Sequence, residues 1–285
     1  MQMALTAGAN IAFAFAVGAA ALGLGAATRV RVIRVALLVW LVLQVVYLPL
    51  QASAMSGAAP YAALPMIPLV MTQSHFGVMW TVGVAAGIAA LAMAFTQAGG
   101  RTACSTSTVL LAVALVVMAF AHAGTTHAVD AGDFSVAMFV HTVHLLSTAL
   151  WAGVVIVAAW PLRRLLFATR HSAIQCSTRL SRLAALAFLV AIGTGVANAY
   201  RGLGGSVAPL TSSLWGWVLT VKVLTVACVV AIGAINRFVN TKRIRQGDPG
   251  ALSAFSRWLA PEAYLMIVVL MLASVLGHSM PGATG

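Results

Sequence analysis

HTVHLLSTALWAGVVIVAAWPLRR, residues 141–164, has the length and character of a membrane-spanning helix. It opens on two histidines, runs to Trp160 without one acidic or basic side chain, and closes on Pro161 and the pair Arg163 and Arg164. About 20 apolar residues, rising 1.5 Å each, cross the ~30 Å hydrocarbon core of a bilayer. Nothing in that core solvates backbone N–H and C=O groups, so such a run must be a helix. The arginines then mark its cytoplasmic end.

Seven more segments on either side of this stretch have the same character. The eight predicted spans are Leu5 to Ala27, Val35 to Ala54, Leu69 to Phe95, Thr108 to Ala123, Phe134 to Pro161, Leu183 to Tyr200, Leu214 to Phe238 and Leu259 to His278. The fourth is short, which leaves seven spans plus a re-entrant segment as the alternative. The 285 residues are 62% hydrophobic and 7% charged, against about 25% charged in ordinary soluble domains. The expected fold class is therefore all-α, a polytopic integral membrane helix bundle. The alternating pattern of a membrane β-barrel is absent.

The basic residues orient the bundle. Arg29, Arg31 and Arg34 fall between spans one and two, and Arg101 between three and four. Arg163, Arg164, Arg170, Arg179 and Arg182 fall between five and six. Arg237, Lys242, Arg243, Arg245 and Arg257 fall between seven and eight or at those helix ends. The alternate connections hold only Arg201 among the cations, with Asp130 and Asp133. The positive-inside rule places both termini on the outer, periplasmic side. The formal charge of +12 thus sets topology and meets anionic lipid of the bilayer, and nucleic acid is excluded as a partner. The N-terminal apolar run lacks a basic leader and is expected to be a retained first span. Cys104, Cys176 and Cys228 are too scattered for a disulfide framework. Residues 1–123 are expected to form one four-span half and 124–285 a second, in parallel orientation, joined at the loop AGTTHAVDAGDF. The segment from Ala168 to Arg182 suits a short interfacial helix. The loop PYAALPMIP reads as irregular.

Six of the seven histidines then fall on the outer side: His75, His122, His127, His141, His144 and His278, with only His171 inside. Imidazole and thioether are ligands for copper, the thioether favouring Cu(I). His141 and His144 share one helix face, with Met138 one turn before them. His75 is predicted to lie on span three with Met71 one turn earlier. His278 and Met280 end span eight, and Met55 and Met66 flank the second loop. Taken singly, a helix-end histidine is usually interfacial and a methionine usually core filler; their joint clustering predicts an outward-facing metal site. A second polar set lies within spans: Asn198, Lys222, Asn236 and Glu262. Such groups are costly in a bilayer and mark a transport path or an internal hydrogen bond. Arg257 or Arg237 is the expected partner of Glu262, and Asn198 that of Lys222.

The runs quoted above, with SRLAALAFLVAIGTGVANAY, SSLWGWVLTVKVLTVACVVAIGAINRF and PEAYLMIVVLMLASVLGHSMPG, resemble the core of the CopD/PcoD copper resistance proteins. The resemblance is specific over Phe134 to Pro281 and carried by His141, His144, Trp151, Gly153, Gly195, Asn198, Gly216, Lys222, Asn236, Arg237 and Glu262. It implies a bacterial inner-membrane protein that handles copper, as Cu(I) or Cu(II), with a separate periplasmic chaperone of the CopC type as partner. There is no nucleotide-binding motif and no acyl-phosphate loop, so the expectation is a permease or acquisition protein and not an enzyme. Two readings stay open beside it. One is a b-type cytochrome-like redox protein, with haem b held between His75 and His144 or between His122 and His141. The other is a copper-delivery assembly factor for respiratory oxidase.

Overall fold

The structure, a computed structural model, describes residues 1–23, 26–97 and 105–280. Among them there is no strand, and eight helices are long and apolar enough to cross a membrane. They are α1 Gln2–Leu22, α2 Ala26–Ser56, α3 His75–Thr96, α4 Ser105–Ala123, α5 Val136–Ala159, α6 Arg170–Leu203, α7 Leu214–Ala234 and α8 Ala251–Gly277. An even number of spans puts both termini at one end of the bundle, called here the terminal face. The arginine-rich connections lie at the other, the basic face.

The helix that carries His141 and His144 is the hub. Helix α5 packs against α1, α4, α6 and α8, and 72% of its most apolar stretch is buried, against 6% for α7. Small residues make this possible. A Cβ on Gly18 of α1 would meet the backbone of Gly153 on α5, and one on Gly153 would meet Ala14 and Gly18. Without a hydrophobic drive between helices in lipid, the van der Waals packing that such close backbone approach allows helps hold them together. Trp151 packs at a tilt against Phe188 of α6 with ring centroids 5.0 Å apart. Helix α7 sits at the rim, packed chiefly on α8.

Several helix ends differ from the sequence reading: α2 begins at Ala26, so Arg29, Arg31 and Arg34 lie within it, and α8 begins at Ala251. Three further differences change how the chain is read. First, residues 170–182 are no separate interfacial helix: α6 runs unbroken from Arg170, where Thr169 and Ser172 form a capping box. Its 34 residues, about 50 Å, exceed the bilayer, so its first turns project beyond the basic face. Second, the loop PYAALPMIP is partly ordered, as a 3-10 turn at Leu64–Met66 followed by a helix at Ile67–Gln73. That helix ends at Ser74, whose hydroxyl caps α3 by accepting from the Gly77 amide at 3.0 Å. Met71 therefore lies on a different helix from His75. Third, α7 does not stop near Phe238. It passes through a π-helical turn, Ile235–Asn240, into a last helix at Thr241–Gln246. In the turn that follows, the Gly250 amide and the Arg243 guanidinium hold the Asp248 carboxyl below its usual range.

Candidate metal centre

Four of the predicted ligands converge at the terminal face. His122 ends α4, His141 and His144 begin α5, and His278 follows α8. His122 lies within electrostatic range of His278, His141 within range of His122, Lys222 and Arg201, and His144 within range of Lys222 and His141. The His141 and His144 rings stack, with centroids 6.4 Å apart. Among the described residues, no three His, Cys, Asp or Glu side chains close on a single point at metal-binding distance. The cluster is a series of neighbouring donors, His278, His122, His141 and His144, at the ends of three helices.

Two of these rings have fixed tautomers. His144 Nδ1 donates to the Ala191 carbonyl at 3.1 Å, with the Thr194 hydroxyl at 3.2 Å. His278 Nδ1 donates to the Ser274 carbonyl at 2.8 Å. A backbone carbonyl only accepts, so the proton sits on Nδ1 and the lone pair on Nε2, the arrangement that orients metal-binding histidines. Gly195 makes room for His144: a Cβ there would stand 3.1 Å from the imidazole Cε1.

The other predicted ligands lie elsewhere. His75 is exposed and its Nε2 lies 2.6 Å from an Asp133 carboxylate oxygen, tying the start of α3 to the loop before α5. His127 opens a 3-10 turn, and its side chain is outside the described residues. Met138 is fully buried in a small apolar cluster with Ala123 and Ala128. Met71 is half-buried on its short helix, while Met280, Met55 and Met66 are exposed. Cys228 and Met271 face outward from the bundle and Met266 is buried inside it. Cys104 lies outside the described residues. His171, at the basic face, is exposed beside Gln175.

The intramembrane polar residues form two levels. Near the terminal face, Lys222 lies within electrostatic range of the α5 histidines and makes no hydrogen bond with Asn198, its expected partner. The Asn198 amide nitrogen and oxygen are both buried and unbonded. Asn198 lies one turn from Thr194 on the same face of α6, so this orphan amide sits beside the residue that holds His144. Toward the basic face, Asn236 Nδ2 donates to Glu262 Oε2 at 3.1 Å. Asn240 Nδ2 donates to Asn236 Oδ1 at 2.8 Å, and the Thr241 hydroxyl donates to the Asn236 carbonyl at 2.8 Å. Neither arginine pairs with Glu262: Arg237 donates to the Ser181 carbonyl at 2.7 Å, and Arg257 is exposed. Sequence reading missed Thr194, Asn240 and Thr241. The first bonds a residue 50 positions away, and the others lie past the anticipated end of span seven.

Comparison with known proteins meets this geometry. Residues 1–136 match the family described as Copper resistance protein D-like, N-terminal domain, and residues 174–276 match Copper resistance protein D. The chain belongs to the copper resistance protein D family. It is similar to Copper resistance protein D of Pseudomonas syringae pv. tomato, at 29% identity over 255 residues covering 86% of this chain and 81% of that protein. It is also similar to Inner membrane protein YebZ of Escherichia coli (strain K12), at 30% identity over 141 residues, 50% of this chain and 48% of that protein. No solved structure matches. Family membership and eight apolar helices make this a multi-pass protein of the bacterial inner membrane.

Proposed function

We propose that this copper resistance D protein is a copper permease that takes copper on the periplasmic side and passes it through the helix bundle. The observation that carries the reading is the convergence of His122, His141, His144 and His278 from three helices at one end of the bundle, with two imidazoles already tautomer-fixed. Copper is the cargo, not a resident cofactor. The exposed donors around that face, His75, Met280, Met55 and Met66, are where a separate CopC-like chaperone would hand it over. His127, Met71 and Met138 complete the proposed set, with Met138 as buried support under His141. The orphan amide of Asn198 is a waypoint beside His144. Lys222 sets the charge of the vestibule: an ammonium beside the imidazoles repels a bound cation and keeps its residence short. Asn236 and Glu262 lie further along the path.

The test is copper binding by purified protein under anaerobic conditions. His141→Ala combined with His144→Ala should weaken binding at least about tenfold, equivalent to about 1.4 kcal/mol, while His171→Ala binds as wild type. Equal losses in the two variants would sink the site. Uptake into sealed vesicles then separates a permease from a protein that only hands copper over at the surface.

A further inference from the structure

The network around Glu262 has no part in holding copper at the terminal face. Along α8, the 16 positions from Glu262 to His278 span about 24 Å, so the two sites lie at different depths. Glu262 is 5% exposed. Its carboxyl receives one hydrogen bond, from the Asn236 amide, an uncharged donor. Its other oxygen faces the gap left by Gly233, where a Cβ would stand 3.1 Å from Oε1.

No cation balances this carboxyl among the described residues. Helix α8 packs against α1, α5, α7, the π-helical turn and the Thr241–Gln246 helix. Helix α1 contains no titratable side chain. Helix α5 contains only His141 and His144, at its far end. Lys222 on α7 is 14 positions, about 21 Å, from Asn236, and Cys228 faces outward. Arg237 is turned to Ser181, Arg243 to Asp248 and Arg245 to Thr178. Lys242 and Arg257 are exposed, and Tyr264 packs edge-on against Trp160. A bare carboxylate in such a place is costly, and one amide does not offset it. The π turn adds a second sign. Such turns leave carbonyls out of the regular ladder and recur at functional sites; here Thr241 satisfies that of Asn236.

We propose that Glu262 is a proton-exchange site, resting on the permease reading above: its carboxyl carries a proton when the path is empty and releases it when a cation arrives. The step balances one for one. R–COOH and Cu(I) give R–COO⁻···Cu(I) and a proton, which leaves to water. The local charge is unchanged, so the apolar surroundings tolerate both states. The carboxylate balances the charge of the passing ion, with the Asn236 amide still donating to it.

The chain suits a direct test, because it holds only four Asp and Glu residues, and Asp130, Asp133 and Asp248 lie outside the spans. Infrared spectra of the full-length protein in lipid, at neutral pH, should show one carboxylic-acid C=O band that is missing from Glu262→Gln. The band should fade when Cu(I) is added anaerobically with ascorbate. Asn236→Ala, which removes the hydrogen-bond donor, should shift its frequency. In liposomes containing a pH dye, each Cu(I) moved by wild type should be accompanied by one proton in the opposite direction. That movement should be lost in Glu262→Gln while binding at the histidines persists. Absence of the band in wild type, a band indifferent to copper or to Asn236→Ala, or proton movement retained in Glu262→Gln overturns the proposal. A protein that binds no copper at its histidines sinks the permease reading instead. Binding there with a copper-insensitive band sinks only the exchange.

Discussion

His144 shows how one residue is made into a ligand by neighbours far away in sequence. Its Nδ1 proton is committed to α6 through Ala191 and Thr194, and Gly195 leaves the ring its space. Gly195→Ala would put a methyl 3.1 Å from Cε1 and push the ring off those bonds. We expect a loss of roughly tenfold in copper affinity, about 1.4 kcal/mol, with expression kept. Gly193→Ala is the control, because a Cβ there meets nothing within 4 Å; if both variants bind alike, the ring position is irrelevant. Lys222→Met keeps the side chain's length and removes the charge beside the imidazoles. It should bind copper more tightly and release it more slowly, so vesicle uptake should fall while affinity rises. Normal uptake at normal expression would remove Lys222 from the path. At this scale the sequence revealed which side chains are chemically able to act. It did not reveal their partners, since Thr194 and Ala191 carry no mark of a role until α6 is laid against α5.

Helices α3 and α7 begin with the same device. Each follows a short helix led by a proline, Ile67–Gln73 and Pro209–Ser212. Each is capped by a serine, Ser74 or Ser213, whose hydroxyl accepts from the amide three residues on at 3.0 Å. That amide belongs to Gly77 or Gly216, where a Cβ would strike the backbone of the short helix. They are the third spans of the two proposed halves, and a matched start is what the proposed parallel repeat would leave. Apolar length alone made the eight spans legible. Their ends were less so, because caps and polar turns lie where hydropathy no longer distinguishes helix from loop: the Thr169 box lengthens α6, and the π turn carries α7 onward. The hub contact is open to test. Gly153→Val would force α1 and α5 apart at Gly18 and should destabilise the bundle by about 1–3 kcal/mol, as overpacking does. Thermal unfolding in detergent reads this against Gly277→Val, where there is open space; equal midpoints would mean that close α1–α5 packing contributes nothing.

For the whole molecule, everything functional depends on which face is outside. Charge argues it from one side: the connections at the basic face carry nearly all the arginines, and cytoplasmic loops retain such residues during insertion. Chemistry argues it from the other, since the imidazole cluster and the exposed methionines gather at the opposite face, where periplasmic copper would arrive. Neither argument uses the other's residues, so their agreement has weight. Single cysteines in a chain freed of Cys104, Cys176 and Cys228 test it. Glycines in the loops are poor positions, because Gly205 and Gly247 have φ of 85° and 83°, which a cysteine resists. Val207, 74% exposed near the start of α7, and exposed Gln246, at the end of the Thr241–Gln246 helix, suit better. With a membrane-impermeant maleimide on intact cells, Val207→Cys should label at once and Gln246→Cys only after the inner membrane is breached. The reverse pattern would turn the histidine cluster toward the cytoplasm. It would then be a site of copper release or export, and Glu262 would be the group nearer the periplasm. Labelling of both from outside would mean that α7 does not cross the membrane, against its position between two capped ends in an eight-span bundle.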